Sequence, residues 1–285
     1  MPPEHFHLAA VNDAVAGTAF EGHLHHSAVV SSTSDLALQA ALAGARVGVW
    51  FADRQITGRG RGSHAWHSPA GDGLYMTTLV APVIPTQSAL QLSFRAAIAV
   101  QSAIAQVTGL RIREQIDIRW PNDLMVARAT GPQRKVGGIL IDTASNPAAF
   151  PQPAMLRSAL IGIGISVTQT SFPPDLEATA TSLCRELPDH PPLRREPLAS
   201  AILNALDAEI KAVAASDSKP ATCNCLNPAG CSTWIEGKPV RVEPRADGSG
   251  GYTGKTAGLD AQGFLLVQGD DGQFHTVLSG GLREL

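Results

Sequence analysis

The sequence predicts a mixed α+β fold: a largely antiparallel sheet with flanking helices, then a small C-terminal β-barrel. Three observations carry this expectation. Strand-like runs follow one another without strict alternation with helices, which argues against a doubly wound parallel sheet. Two long alanine-rich helical patterns occupy residues 86–108 and 197–215. Beyond residue 231 the periodicity changes to short β-rich runs split by glycine turns.

In chain order, residues 1–24 are poorly patterned and read as an N-terminal extension. SAVVSST (27–33) is a β-type run, with Ser32 and Thr33 at its end. SDLALQAALAGA (34–45) reads as a helix, with Leu36, Ala40 and Ala43 on one face and Gly44 as its stop. ARVGVWFAD (45–53) and GLYMTTLVA (73–81) read as strands, and Gly109 ends the first long helix. IDIRWPNDLMV (116–126), VGGILIDT (136–143) and MLRSALIGIGISV (155–167) add further strands. The composition of SDSKPATCNCLNPAG (216–230) marks a linker. KPVRVEP, YTGKTAGLD, GFLLVQGD and FHTVLSGGL supply the barrel. The expected units are therefore 25–231 and 232–285.

Bulk properties narrow the function. A chain of 285 residues with 44% hydrophobic and 16% charged residues can bury a large core. A net charge of -3 gives no electrostatic case for binding DNA or an anionic membrane, and no apolar run is long enough to span a bilayer. The N-terminus lacks a basic start followed by an apolar run, so a cytoplasmic protein with reduced thiols is expected. Cys223, Cys225 and Cys231 cluster without a clear fourth ligand. Loop thiols are the favoured reading, and a metal site completed by nearby acids or histidines is the alternative.

Two constellations carry chemistry. In TGRGRGSHAW (57–66), Gly58, Gly60 and Gly62 alternate with Arg59 and Arg61. Glycine lets backbone N–H groups approach an anion, and arginine adds charge and forked donors, so the loop suits a carboxylate or a phosphate. Trp66 offers a flat platform. Alone, such a loop is equally compatible with a solvated turn. Nearby, Ser32, Thr33 and Gln55 are uncharged polar groups, suited to a neutral ligand ring. The second constellation joins RWPND (119–123) to RKVGGILID (134–142). Asn122 and Asp123 stand at a strand bend, and Lys135, the first lysine in the chain, precedes Gly137 and Gly138. An exposed loop lysine is the competing reading.

In order along the chain, GRGRGSHAW-x-SPAGDGLYMT, RWPND, RKVGGILID, IGIGISV, ATSL and a terminal SGGLREL resemble the biotin protein ligase family, covering most of the chain from about Ser31 onward. The resemblance implies a catalytic domain like those of class II synthetases and biotin–lipoyl ligases, with an SH3-like C-terminal barrel. It implies an ATP-dependent ligase that makes biotinyl-AMP from biotin and ATP with Mg²⁺. Biotin would then pass to a lysine of a biotin carboxyl carrier protein, of acetyl-CoA carboxylase or another biotin-dependent carboxylase. Lys135, Arg59, Arg61 and Asp123 match catalytic positions. Ser32, Thr33, Gln55, Gly58, Arg59, Arg61, Lys135 and Gly138 match biotin contacts. Trp66, Asn122, Ser166 and Arg283 match the nucleotide side, and Asp123 a Mg²⁺ contact and a candidate proton acceptor.

Three positions and one segment depart from the family pattern: Ser34 and Ser166 where asparagine is usual, Arg119 where lysine is common, and a second half of the loop that is less basic. Too few residues precede Ser32 for a helix-turn-helix, so a monofunctional ligase without DNA binding, monomeric or weakly dimeric, is expected. The rival readings are a lipoate–protein ligase and a non-catalytic biotin-binding regulator.

Overall fold

The computed structural model describes residues 6–62, 64–86, 89–127, 132–145, 154–216, 232–243, 251–260, 263–277 and 282–285. A seven-stranded sheet has the spatial order β1-β2-β3-β7-β6-β5-β4. Its strands are β1 (Leu24–Val30), β2 (Gly48–Gln55), β3 (Gly73–Val80), β4 (Ile116–Arg119), β5 (Asp123–Val126), β6 (Arg134–Ser145) and β7 (Leu156–Ser166). Only β1 and β2 pair in parallel; every other pair is antiparallel. The expected class of the larger unit, mixed and largely antiparallel, is therefore the observed one.

The two faces of the sheet are divided by sequence pattern. In IGIGIS of β7, Ile161, Ile163 and Ile165 enter the main core. The alternate positions Gly162 and Gly164 turn to the other face, where a Cβ at Gly164 would lie 2.5 Å from the Trp66 ring. Helices α3 (Ala89–Thr108) and α5 (Arg195–Ser216) add Phe94, Val100, Ile104, Leu198, Ile202 and Leu206 to the same core. Helix α2 (Thr33–Leu42) lies on the opposite face, where Ala37 packs with Leu79 and Leu160. The glycine stops behave as expected: Gly44 and Gly109 have φ of 100° and 74°. A four-residue helix, α4 (Leu183–Glu186), is capped by Ser182.

Three expectations need correction. Ser32 and Thr33 do not end a strand: β1 stops at Val30, Ser32 is the N-cap of α2, and Thr33 is its first residue. The Ser32 hydroxyl accepts from Ser34 N at 3.2 Å, and this local cap outweighs the β-propensity of the run before it. The N-terminal stretch, read as an unpatterned extension, packs into the main core. It forms α1 (Leu8–Ala14), and Phe6, Val11, Val15 and Phe20 are buried in the main core. The pattern was too short to read, since within α1 only Val11 is buried and no side chain caps the helix.

The third correction concerns the C-terminal unit, which is a five-stranded antiparallel sheet of order β11-β10-β9-β8-β12. Its strands are β8 (Glu236–Val242), β9 (Tyr252–Leu259), β10 (Leu265–Gly269), β11 (Phe274–Val277) and β12 (Leu282–Glu284). Among the described residues β11 and β12 remain its two edges, so no closed barrel is formed. Its Val240, Val242, Leu265, Val267 and Val277 belong to the same buried cluster as the larger sheet. The cysteine cluster at 223–231 lies outside the described residues. Among the described residues no helix is long and apolar enough to cross a membrane.

Candidate functional site

The face of the sheet carrying Gly162 and Gly164 opens into a cleft of about 250 Å³ between α2, the glycine–arginine loop and the β5–β6 region. Ten of the expected residues line it: Ser32, Thr33, Gln55, Arg59, Arg61, Trp66, Asn122, Asp123, Lys135 and Gly138. Three do not. Gly58 is buried and borders a neighbouring depression with Asp142. Ser166 is buried at the end of β7, opposite Gly73. The Arg283 side chain is 75% exposed and ion-paired with Glu243 at 2.5 Å.

One end of the cleft is uncharged. Gln55 Oε1 accepts from Thr33 N at 2.9 Å and Thr33 Oγ1 at 3.1 Å, while Gln55 Nε2 donates to Ser68 Oγ at 3.1 Å. Thr33 Oγ1 is also hydrogen-bonded to Thr77 Oγ1 at 2.8 Å, which lies 3.2 Å from Ser34 Oγ. Both ends of the Gln55 side-chain amide are thereby fixed in orientation. Thr77 and Ser68 escaped sequence reading. Thr77 sits in GLYMTTLV, where every residue is buried, so no alternation reveals which positions face the cleft.

The loop is a small hairpin. Trp66 N donates to Gly58 O at 2.8 Å, Gly60 N donates to His64 O at 2.8 Å, and Arg59 bridges Ala65. Gly58 is sterically required: a Cβ there would meet Trp66 O at 2.6 Å and Ser68 Oγ at 2.8 Å. Trp66 lies over Gly138 and Gly164, and its indole N–H is buried without a hydrogen-bond partner. Arg59 reaches Asp142 at 3.0 Å and Asp35 at 3.7 Å, and Arg61 Nη1 donates to Asn122 Oδ1 at 3.4 Å. Arg59 therefore ties the loop to its surroundings rather than pointing a free charge into the cleft. Its ion pairs are about two-fifths exposed, so each is worth about 1 kcal/mol or less and is easily exchanged for a ligand anion.

The other end of the cleft is cationic. Lys135 Nζ lies 2.6 Å from Asp123 Oδ1 and 5.5 Å from the centre of the Trp66 ring. Arg119 Nη2 takes the second oxygen of Asp123 at 2.6 Å. Burial by itself would raise the Asp123 carboxyl, but the charges and hydrogen bonds of Lys135 and Arg119 outweigh it and hold the group below the usual carboxylate range. A pKa depressed on folding contributes stability that is present at neutral pH and lost only as pH falls through the depressed value. Such a carboxylate is also a weak base, which counts against Asp123 as a proton acceptor.

The backbone of Lys135 is pinned on both sides: its N–H donates to Thr179 O at 2.8 Å, and Thr181 N donates to its carbonyl at 2.8 Å. This gives the ATSL segment (180–183) a structural role that its sequence did not disclose. The donor set does not fit a resident divalent cation. Asp123 is the only carboxylate lining the cleft among the described residues, and both of its oxygens are held by cations. Among the described residues no group of three metal-ligating side chains occurs.

Comparison with known proteins shows likeness in sequence and in fold. A profile described as the biotin/lipoate A/B protein ligase family matches residues 27–150, and one described as the biotin protein ligase C-terminal domain matches residues 237–280. The chain is 32% identical over 254 residues to the bifunctional ligase/repressor BirA of Bacillus spizizenii, covering 88% of this chain and 70% of that one. It is 26% identical over 231 residues to the human biotin–protein ligase, covering 80% of this chain and 29% of that one. In fold it is similar to the biotin protein ligase of Aquifex aeolicus solved in complex with biotin and ATP. The TM-score is 0.68 at 23% identity, covering 93% of this chain and 100% of that one.

Proposed function

The chain belongs to the biotin protein ligase family, and from that premise we propose that it activates biotin with ATP and transfers it to a lysine of a biotin carboxyl carrier protein. One observation supports this most: an uncharged hydrogen-bonding pocket and a cationic end occupy a single cleft. Biotin has this division, a neutral ureido ring at one end and a carboxylate at the other.

In this reading Ser32, Thr33 and Gln55 hold the ring, with Ser68 orienting Gln55 and Thr77 orienting Thr33. Arg61, Lys135 and Asn122 face the carboxylate and the α-phosphate, and Trp66 closes over the product. Biotin enters as its carboxylate and ATP as its magnesium complex, so the metal belongs to the substrate. A carboxylate oxygen attacks the α-phosphorus and pyrophosphate leaves. Two anions must approach each other, and the Lys135 ammonium with the arginines offsets their repulsion. The acceptor amine then attacks the acyl carbon, AMP leaves, and the amine proton passes to solvent or to the departing phosphate. Asp123 aligns Lys135 in both steps. The closed loop keeps water from the mixed anhydride.

ATP–pyrophosphate exchange tests the reading. Exchange should depend on biotin, and mass spectrometry should show one biotin added to a carrier domain. Exchange supported by lipoate but not by biotin would establish the lipoate ligase, and biotin binding without exchange the regulator.

Two substitutions probe the two ends. Gln55→Leu leaves Thr33 N–H without its acceptor and removes both groups offered to the ring. It should weaken biotin binding about tenfold or more, as one lost buried hydrogen-bonding group does, with the KM for ATP little changed. Calorimetric titration with biotin decides this, and an unchanged Kd removes Gln55 from the site. Arg61→Gly should affect retention of the adenylate more than binding of biotin, because its cation meets an anion that exists only after the first step. The expected signature is faster release of biotinyl-AMP and labelling of bystander proteins. A release rate equal to wild type overturns the assignment.

A further inference from the structure

We infer that Trp234, at the start of the C-terminal unit, is a positioning residue for the reaction: it holds Arg119, and through Asp123 it sets how much of the Lys135 charge faces the cleft. The inference rests on the role proposed above for Lys135.

Trp234 is only 3% exposed and is fixed at several points. Its N–H donates to Ser232 Oγ at 3.0 Å, and Ser232 Oγ donates to Ile118 O at 2.6 Å, one residue from Arg119. Its indole Nε1 donates to Gln133 Oε1 at 3.2 Å, two residues from Lys135. The Arg119 guanidinium carbon lies 5.7 Å from the centre of its ring, within the range of a cation–π contact. Arg119 in turn takes one oxygen of Asp123, and Lys135 takes the other.

That division matters electrostatically. Two cations on one carboxylate leave a trio of net charge +1, and the surplus is available to a substrate carboxylate or phosphate. If Arg119 drifts away, both oxygens fall to Lys135. The remaining pair is neutral, and the ammonium is held back from the cleft. Arginine suits the position because its planar group can lie against an aromatic ring while its edge donates to a carboxylate. The C-terminal unit thus reaches the reacting end of the cleft through Trp234, whereas Arg283 points away to Glu243.

The test uses the full chain. In biotin-dependent ATP–pyrophosphate exchange, Arg119→Met should lower kcat/KM for ATP about thirtyfold, and Trp234→Leu about tenfold, the scale of a partly buried cation–π contact. The Kd for biotin should rise no more than about threefold, since only its carboxylate contact with Lys135 weakens while the uncharged end that holds the ring is untouched. Trp234→Phe, which keeps an aromatic face, should recover most of the loss.

A second readout does not need turnover: competitive acetylation by acetic anhydride, mapped by mass spectrometry. In Arg119→Met, Lys135 should lose reactivity about fivefold relative to Lys211 and Lys255, because both Asp123 oxygens then hold its ammonium. A wild-type protein without exchange would count against the proposed function, and the acetylation pattern would still decide this inference. Unchanged ATP kinetics in an active enzyme, or unchanged relative acetylation of Lys135, overturns it. So does a loss in Trp234→Leu that affects biotin and ATP equally and is not recovered by phenylalanine, since that marks a tryptophan that only fills space.

Discussion

Replacing Lys135 with alanine should slow formation of the adenylate by about a hundredfold or more, the usual cost of removing one electrostatic stabiliser from a reacting centre. The structure raises this expectation above that for an ordinary loop lysine. Lys135 is one of two cations on Asp123, so its loss also turns the trio of net charge +1 into a neutral pair. The substrate carboxylate would then approach the Asp123 carboxylate with less to offset their repulsion. The fold should survive, because the hydrogen bonds of residue 135 to Thr179 and Thr181 are made by backbone. Single-turnover measurement of biotinyl-AMP checks the prediction, with thermal melting as the control. A rate close to wild type would remove Lys135 from the chemistry.

Asp117→Ala should be the most destabilising single change at the contact between the two units, by about 3 kcal/mol, from donors left without an acceptor. Asp117 is fully buried, and its carboxylate accepts from Ile118 N at 2.8 Å, Thr233 N at 3.1 Å and the Thr233 hydroxyl. It stitches β4 to the first residues of the C-terminal unit. For a chain of this size the loss corresponds to a melting temperature about 6 °C lower. Asp117→Asn, which keeps an acceptor oxygen, should recover part of it. A melting temperature unchanged in the alanine variant would mean that the units are held together by their shared apolar core alone. Removing residues 232–285 would uncover both Asp117 and Trp120, whose indole N–H donates to Gly263 O at 3.3 Å. The C-terminal unit is therefore not expected to be shed without cost to the larger one.

Much of this molecule was legible in its sequence. The alternation in IGIGIS separates core-facing isoleucines from cleft-facing glycines before any coordinate is known, because side chains on a strand alternate by geometry. Gly44 and Gly109 announce the ends of α2 and α3, since few other residues adopt a positive φ at low cost. The glycine–arginine loop, Gln55, RWPND and Lys135 carry residue types whose chemistry narrows the ligand, and ten of the expected residues do meet in one cleft.

Partnership was decided elsewhere. No local pattern says that Asp123 divides its oxygens between Arg119 and Lys135, or that Arg59 is occupied by Asp142 and Asp35. Thr77 faces the cleft from a strand buried on both sides, where alternation is erased. The first twenty residues looked unpatterned because α1 buries a single side chain, and Phe6 and Phe20 reach the core only once α5 is in place. The sequence by itself determined most strands of the large sheet, the helices α2, α3 and α5, and the chemical types at the site, because propensity and periodicity act over a few residues. Only the tertiary structure decided which charges neutralise one another and which residue of the C-terminal unit packs on Arg119. Trp234 packs on Arg119 although the two stand more than a hundred positions apart, whereas Arg283 pairs with Glu243 inside its own unit, and nothing but packing decides between them.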